Sequence, residues 1–164
     1  MSTDWADDDS SPLLSGRQAT EEVRVLPPIQ FYRLRDDACY PVKASEGAAG
    51  YDLVAIAARR FGKGLCEVST GIAAVIPEGY VGLVRGRSGL AFKHGIWCFE
   101  GTIDSDYRGE IKVLLKDVPS NMSVVRDRVA QLVVVPVLTA SALCPGKPPD
   151  DTQRGAGGFG STGR

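Results

Sequence analysis

Three arginines and a serine in this chain have the chemistry of a phosphate-binding site. Arg87, Arg128 and Arg154 each carry a planar guanidinium, which can donate paired, charge-assisted hydrogen bonds to phosphate oxygens. Ser88 directly follows Arg87 at the start of the segment SGLAFKH, and the free N–H groups at the start of a helix also suit an anion. The sequence therefore predicts that the protein binds a phosphorylated ligand.

The acidic residues indicate which reaction such a ligand would undergo. Asp52, Asp104 and Asp106 suit Mg²⁺, which binds a few carboxylates together with water and phosphate oxygens. The one histidine, His94, has no partners in the sequence for a zinc site or a Ser-His-Asp triad, so we expect it to be structural or peripheral. A carboxylate must then orient any attacking water. With Tyr107 to pack against a base or sugar, this combination points to phosphate-ester hydrolysis on a nucleotide.

Each of these groups, taken alone, has an ordinary structural explanation. The segment 104–106 could be a hairpin turn, where Asp is common. Arg87 could belong to a loop that leads into a capped helix. Gln131, which is polar within an apolar strand, could satisfy a buried backbone group. The functional interpretation depends on the ensemble.

The C-terminal residues RGAGGFGSTGR place Gly155, Gly157 and Gly160 in the G-x-G-x-x-G spacing of dinucleotide-binding proteins. Such a loop needs a strand before it and a long helix after it, and only STGR follows. No Gly-Lys-Ser/Thr follows either, which excludes a Walker A loop. The composition also fits a flexible tail, but a spacer has no use for Arg154 or Phe159.

The whole chain predicts one soluble domain. It has 164 residues, 43% hydrophobic and 24% charged, with a net charge of −1, so we expect no general nucleic-acid binding. No apolar run reaches the ~20 residues that a membrane span needs. The acidic N-terminus lacks the order of a signal peptide, which favours the cytoplasm or, for a virus or phage, the interior of the host cell. We expect free or buried thiols at all four cysteines: Cys39, Cys66, Cys98 and Cys144.

Short strands are the elements that must position the reactive residues. Residues 1–28 are polar and acidic and predict a disordered arm. Residues 29–140 form the predicted domain, and 141–164 a mobile C-terminal arm. The rhythm of short apolar segments and turns predicts an all-β, jelly-roll-like barrel or sandwich with one short helix, SGLAFKH, capped by Ser88. The predicted strand segments are 29–34, 50–56, 66–76, 79–86, 109–118 and 129–138.

Five clusters along the chain closely resemble the five motifs of the homotrimeric deoxyuridine triphosphatases. They are AGYDL (49–53), GRSGLA (86–91), GTIDSDYRGE (101–110), RVAQL (128–132) and RGAGGFGSTG (154–163). The resemblance spans roughly residues 29–163. It implies a homotrimer with active sites at subunit boundaries, which hydrolyses dUTP to dUMP and pyrophosphate with Mg²⁺ on the triphosphate. Such activity keeps uracil out of DNA and supplies dUMP for thymidylate synthesis.

The resemblance also implies roles for residues of the β domain. Asp104 would hold and activate the water that attacks the α-phosphorus, and Tyr107 would pack under the deoxyribose and exclude a 2′-hydroxyl. The backbone of a hairpin from Gly101 to Lys112 would read the uracil edge. The residues that complete these binding surfaces are Thr102 and Ile103 for the base, Arg87, Ser88 and Gly89 for the α- and β-phosphates, and Gln131 and Asp52, through water, for the metal.

The C-terminal arm would then act as a lid. Phe159 would stack on the uracil, Arg154 would reach the γ-phosphate, and Gly160, Ser161 and Thr162 would wrap the phosphates. Because ordering a backbone costs about 1–2 kcal/mol per residue, we expect this glycine-rich lid to be mobile without nucleotide.

Two alternatives to this function come from different classes of protein. A dCTP deaminase on a related fold resembles the third cluster, but that family carries a catalytic Glu five residues after the motif's final Gly, where this chain has Leu114. A nucleotide-dependent regulatory protein is the other alternative, and the acidic arm could then bind an unknown protein partner or be only a solvated tail.

The chain departs from the family pattern at two places. WCFE (97–100) precedes Gly101 where many relatives have small or amide residues, so we expect a different shape of the uracil pocket. Arg126 stands where a Gly is common, so we expect that turn to differ as well.

Overall fold

The structure is a computed structural model that describes residues 27–62, 64–138, 140–141, 143–149 and 151–153. This part of the chain contains ten β-strands and one short α-helix, which confirms the predicted all-β class. The elements are β1 Gln30–Arg33, β2 Gly50–Val54, β3 Ala57–Phe61, β4 Leu65–Ser69, β5 Ile72–Val75, β6 Tyr80–Gly86, α1 Ser88–His94, β7 Trp97–Cys98, β8 Gly101–Ile103, β9 Lys112–Lys116 and β10 Arg128–Pro136.

Two open four-stranded sheets share one hydrophobic core, so the fold is a sandwich rather than a closed barrel. The first sheet has the order β2-β10-β6-β8 and the second has the order β3-β4-β9-β7, while β1 and β5 form a separate pair. All these pairings are antiparallel. Both sheets bury alternate residues against each other, including Leu53, Val84 and Leu132 from the first and Val68, Val113 and Leu115 from the second.

The alternation of side chains leaves the other face of the first sheet available for polar residues. Leu132 and Ala130 on β10 point into the core, and Gln131 between them is half-buried on the opposite face. On β6, Val84 is buried and Arg85 is half-buried. Because side chains alternate along a strand, the core-facing residues fix which face the polar ones occupy.

The predicted strands and helix agree with the structure in place but differ in detail. The segment 66–76 is two strands, because Thr70 and Gly71 turn the chain between β4 and β5. β3 was not predicted, since its sequence AARRF lacks the apolar alternation of a half-buried strand. The helix has the predicted residues, but its N-cap is Arg87 with no side-chain cap bond, so the prediction of Ser88 as N-cap is wrong. Ser88 is instead the first helical residue.

The expected hairpin from Gly101 to Lys112 is also corrected. β8 pairs with β6 in the first sheet, whereas β9 pairs with β4 and β7 in the second. The two strands therefore belong to different sheets, and residues 104–111 cross between them. Sequence alone could not separate the two arrangements, because both are consistent with two short strands around a turn.

Several smaller expectations can be compared with the described residues. All four cysteines are free thiols, as predicted, and His94 is exposed at the end of α1. Within the described residues, no helix is long and apolar enough to cross a membrane. The predicted N-terminal arm lies outside the described residues except for Pro27 and Pro28.

The turn at Arg126 has the backbone conformation that favours glycine. Arg126 has a φ of 73°, which is left-handed, and its Nη1 donates to the Asp37 carbonyl at 3.0 Å.

Gly71 should tolerate a side chain far less well than Gly79. Both have positive φ, 65° and 80°, so alanine at either costs about 1–2 kcal/mol of backbone strain. At Gly71 the added Cβ would lie 2.7 Å from Ile56 Cδ1 and 2.9 Å from Ala38 Cβ, whereas at Gly79 nothing lies within 4 Å. We expect Gly71→Ala to lose a further ~1–3 kcal/mol of unfolding free energy by overpacking, measured by urea unfolding at one protein concentration. Equal losses in the two variants would contradict this packing.

Candidate active site

A buried carboxylate between two guanidiniums forms the first part of the candidate site. Asp52 on β2 is 6% exposed. Its Oδ1 lies 3.1 Å from Arg87 Nε and its Oδ2 lies 3.0 Å from Arg128 Nη1. Arg87 Nη1 also donates to the Arg128 carbonyl at 3.1 Å. One negative and two positive charges leave this arginine–aspartate group with an excess positive charge, which suits a phosphate.

The arginine–aspartate group continues as a polar row across the first sheet. Gln131 on β10 lies directly opposite Asp52 on β2 and directly opposite Arg85 on β6, so the three side chains share one face. The Gln131 side chain lies over Gly50, where an added Cβ would be 2.8 Å from its Oε1. Arg85 in turn makes an ion pair with Glu100, just before β8. The sheet thus brings Asp52 and Gln131 together on one face, and their predicted roles near a metal stay predictions.

The start of α1 lies beside the arginine–aspartate group because Arg87 is both its N-cap residue and a partner of Asp52. The Arg87 carbonyl accepts hydrogen bonds from the amides of Leu90 and Ala91, at 3.1 and 3.2 Å. The amides of Ser88 and Gly89 precede the first intrahelical donors, and both residues are exposed. They can therefore donate to an anion that Arg87 also contacts.

A pocket at the edge of the first sheet forms the second part of the candidate site. Its volume is about 320 Å³, and its lining residues are Gly101, Thr102, Ile103, Asp104, Tyr107, Glu110 and Lys112. We call it the edge pocket. β8 is the last strand of its sheet, so the outer side of its backbone has no strand to pair with among the described residues. Such N–H and C=O groups can instead pair with a planar ligand.

Tyr107 is held in the edge pocket by its own loop. Its amide donates to the Asp104 carbonyl at 3.2 Å, and its hydroxyl donates to the Glu110 carbonyl at 3.0 Å. The ring lies against Gly109, where an added Cβ would be 2.4 Å from the tyrosine hydroxyl oxygen. The side chain is 43% exposed, so one part of the ring remains free for a ligand.

Charged partners outside the pocket orient Lys112. Its Nζ lies 3.5 Å from Glu67 Oε1, and Glu67 Oε2 pairs with Arg59 Nη2 at 3.2 Å. The hydrogen bond from Arg59, followed by the charges of Arg59 and Lys112, holds the pKa of Glu67 below its ordinary value. Glu67 therefore stays ionised and keeps Lys112 on β9 beside the edge pocket.

The unusual WCFE segment directs its acidic residue away from the edge pocket. Glu100 pairs with Arg85, and the Phe99 amide donates to the Leu114 carbonyl at 2.9 Å. Cys98 is half-buried, and burial raises the pKa of its thiol to about 11. That thiol is protonated at neutral pH and is not a nucleophile.

The structure places the predicted site residues that it describes in two groups. Asp52, Arg87 and Gln131, with Ser88 and Gly89 nearby, lie on one face of the sheet, and the edge pocket holds the rest of the described set. The predicted lid residues lie outside the described residues and stay predictions: Arg154, Phe159, Gly160, Ser161 and Thr162. Sequence reasoning missed Arg85 and Glu67, although the spacing of Arg85 two residues before Arg87 could have indicated it.

The partners of Asp52 bear on its predicted role at a metal. Both carboxylate oxygens contact guanidinium nitrogens, so a role through bound water remains a prediction. Within the described residues, no group of three or more His, Cys, Asp or Glu side chains could hold a metal ion.

Asp52→Asn should weaken substrate binding much more than Asp37→Asn. Asparagine cannot neutralise the two guanidiniums, so Arg87 loses a charged partner that orients it. We expect KM for the substrate to rise by about tenfold, with a lower melting temperature, since breaking a buried pair leaves its partner unmatched. Asp37 pairs with Arg35 on the surface, and its substitution should leave both quantities unchanged. Steady-state kinetics that showed equal effects would contradict a binding role for the buried pair.

The fold and the site together define a class of protein. A β-sandwich with a base-sized edge pocket, an exposed carboxylate and a separate guanidinium group is a nucleotide-binding protein suited to phosphate-ester hydrolysis. The family model described as dUTPase matches residues 36–163, and the chain belongs to the dUTPase family.

Known proteins similar to the chain include curated enzymes and phage structures. A deoxyuridine 5′-triphosphate nucleotidohydrolase of Zymomonas mobilis is 48% identical over 76% of this chain and 88% of that protein. One from Wolinella succinogenes is 45% identical over 83% of this chain and 94% of that protein. The dUTPase of Staphylococcus bacteriophage 80alpha, solved as a mutant with dUpNHpp, has a TM-score of 0.75 and 26% identity over 84% of this chain and 99% of its own. The TM-score shows that the two chains share a fold, which agrees with the predicted jelly-roll class.

A phi11 phage dUTPase mutant with a structural Mg(II) ion shares the fold. Its TM-score is 0.65, with 24% identity over 74% of this chain and 98% of its own.

Proposed function

We propose that this protein hydrolyses dUTP to dUMP and pyrophosphate. The observation that carries this function is the edge pocket, where Asp104 and Tyr107 of the GTIDSDYRGE motif lie together in a member of the dUTPase family. The pocket has room for a pyrimidine and its sugar, and the carboxylate lies at its border.

The edge strand β8 accounts for the choice of base. The pairing edge of uracil presents one N–H between two carbonyls, and backbone groups of residues 101–103 can match that order. Cytosine presents an amino group in place of one carbonyl, so a backbone donor would face a donor. A mismatch of this kind leaves buried polar groups unpaired, at about 1–3 kcal/mol each.

Tyr107 accounts for the choice of sugar. Its hydroxyl is engaged by the Glu110 carbonyl and its ring lies against Gly109, so the ring has little freedom to move aside. A deoxyribose can pack on the exposed part of the ring. A 2′-hydroxyl would need space and a hydrogen-bond partner at this contact, which disfavours UTP.

Asp104 performs the proton transfer in the proposed reaction. Its exposed carboxylate accepts a proton from a water molecule, and the water oxygen forms a bond to the α-phosphorus. The bond between that phosphorus and the oxygen bridging to the β-phosphate breaks, and pyrophosphate leaves with the electron pair. dUMP retains the new oxygen.

Arg87 and Arg128 bind the phosphates through the guanidinium N–H groups that Asp52 leaves free, together with the amides at the start of α1. Mg²⁺ bound to the triphosphate is part of the substrate, and it supplies neutralisation of the phosphate charge. Gln131, in the same row as Asp52, would hold water around that ion. Each of these side chains holds or orients a ligand group in the proposed reaction.

We propose a trimer in which each active site combines the arginine–aspartate group of one subunit with the edge pocket of another. The arginine–aspartate group is built on β2, β10 and the start of α1, while the edge pocket is built on β8, β9 and their connection. Within the described residues, no side-chain hydrogen bond or ion pair joins the two groups. In the trimer that we propose, the edge pocket of one subunit faces the arginine–aspartate group of another.

Product analysis tests the proposed function directly. Purified protein with Mg²⁺ is offered dUTP, dCTP, dTTP and UTP separately, and the products are separated by ion-exchange chromatography. Conversion of dUTP alone to dUMP and pyrophosphate supports the proposal. Deamination of dCTP would identify the alternative enzyme class, and no turnover of any nucleotide would overturn enzymatic function.

A further inference from the structure

The turn between β4 and β5 is attached to the loop that carries Tyr107. The Thr70 hydroxyl donates to the Ile111 carbonyl at 2.6 Å, and the Gly71 amide donates to Glu110 Oε1 at 2.7 Å. The Ile111 amide donates to the Ile72 carbonyl at 2.7 Å. We call this set of contacts the Thr70 clamp.

Thr70, at the centre of the clamp, is buried, and its hydroxyl is fully engaged. Thr70 is 0% exposed, and its hydroxyl oxygen also accepts the Ile72 amide at 3.2 Å, so it acts as donor and acceptor at once. Gly71 has a φ of 65°, and its neighbours leave no room for a Cβ, so the turn is tightly packed around this glycine. Because buried polar groups without partners are costly, losing the hydroxyl would disturb the backbone at Ile111.

The clamp ends at the residue that fixes Tyr107. The Glu110 side chain accepts a hydrogen bond from the Gly71 amide, and the Glu110 carbonyl accepts one from the Tyr107 hydroxyl. A displacement of residues 110–111 therefore moves the hydrogen-bond acceptor of Tyr107, and Gly109 beneath the ring moves with it. The chain of contacts runs from a buried threonine, which touches no ligand, to the ring that borders the edge pocket.

We infer that Thr70 and Glu110 are positioning residues that set the discrimination between deoxyribonucleotides and ribonucleotides at the edge pocket. This inference rests on the proposed function, because it assigns Tyr107 the reading of the sugar. Thr70 and the Glu110 side chain act through the position of residues 109–111 and not by contacting the sugar. A looser clamp gives the ring freedom to move aside for a 2′-hydroxyl.

The test compares Thr70→Val, Glu110→Ala and Glu110→Gln with the wild type. Valine has the shape of threonine without the hydroxyl, and glutamine keeps an acceptor for the Gly71 amide. We measure kcat/KM for dUTP and for UTP and take their ratio. Because misplacing a contact by about 1 Å can cost about a hundredfold, we expect the ratio to fall by roughly tenfold or more in Thr70→Val and Glu110→Ala. Glu110→Gln should recover most of it.

A control separates this positioning role from stability alone. Val118 follows β9 and is 5% exposed in the core, so Val118→Ala should lower the melting temperature without touching the clamp. We expect its dUTP to UTP ratio to equal that of the wild type. An unchanged ratio in Thr70→Val, or an equal fall in Val118→Ala, would overturn the inference.

A binding measurement keeps this test independent of catalysis. Calorimetric titration with dUMP and with UMP gives a ratio of dissociation constants for the same variants. If the wild type binds dUMP but hydrolyses no nucleotide, the proposed function is wrong, and the binding ratio still decides on the clamp. If the wild type hydrolyses dUTP and the clamp variants keep both ratios, only the inference about Thr70 and Glu110 fails.

Discussion

Asp104→Asn is expected to lower kcat for dUTP by about a thousandfold and to change KM by less than about threefold. A positioned general base contributes roughly 10²–10⁴ in rate, and an amide cannot accept the proton of the attacking water. Asparagine has nearly the same shape as aspartate, so the edge pocket and its backbone groups should remain. A loss confined to kcat is typical of a group that acts in the transition state rather than in binding.

The matched variant for this prediction is Asp106→Asn in the same loop. Both carboxylates are exposed and both border a second, larger depression on the surface. Asp104 alone also lines the edge pocket, so we expect Asp106→Asn to lose less than about tenfold in kcat. Single-turnover measurements with saturating protein isolate the chemical step. Equal losses in the two variants would show that loop charge, and not one water-activating carboxylate, governs the rate.

The sequence predicted the elements of the fold better than their pairing. Alternating apolar residues located β6 and β10, because the core of a sandwich buries every second side chain. The turn Thr70-Gly71 and the strand Ala57–Phe61 were missed, since one lies inside an apolar segment and the other is exposed. Pairing depends on contacts between distant parts of the chain, so the placement of β8 and β9 in different sheets could not be derived from their local pattern.

The residues of the candidate site were likewise easier to predict than the contacts that orient them. Motifs identified Asp104, Tyr107 and Arg87 because their residue types and order carry the chemistry. The contacts that orient them were not predictable from local sequence: the pairing of Asp52 with Arg128, the row from Gln131 to Arg85, and the clamp from Thr70 to Ile111. Each joins segments that are far apart in the chain, and only the assembled sheets bring them together.

Shared active sites predict that two inactive variants can restore activity to each other. Asp104→Asn removes the base from the edge pocket, and Arg87→Ala removes a guanidinium from the arginine–aspartate group. If each site takes these two residues from different subunits, a mixed trimer contains sites in which both are intact. After co-refolding at equal concentrations, each residue is intact at a given site with a chance of one half, so activity should return to about a quarter of the wild-type value.

This complementation has an internal control in the double variant. A chain with both substitutions, mixed with wild-type chains in the same way, supplies intact pairs with the same frequency of about a quarter if sites are shared. If instead each chain builds its own complete site, the mixture of single variants stays inactive while the mixture with the double variant keeps about half of the wild-type activity. Native mass spectrometry of each mixture establishes that mixed trimers have formed. An inactive mixture of single variants that contains mixed trimers would assign both groups to one subunit and overturn the shared site.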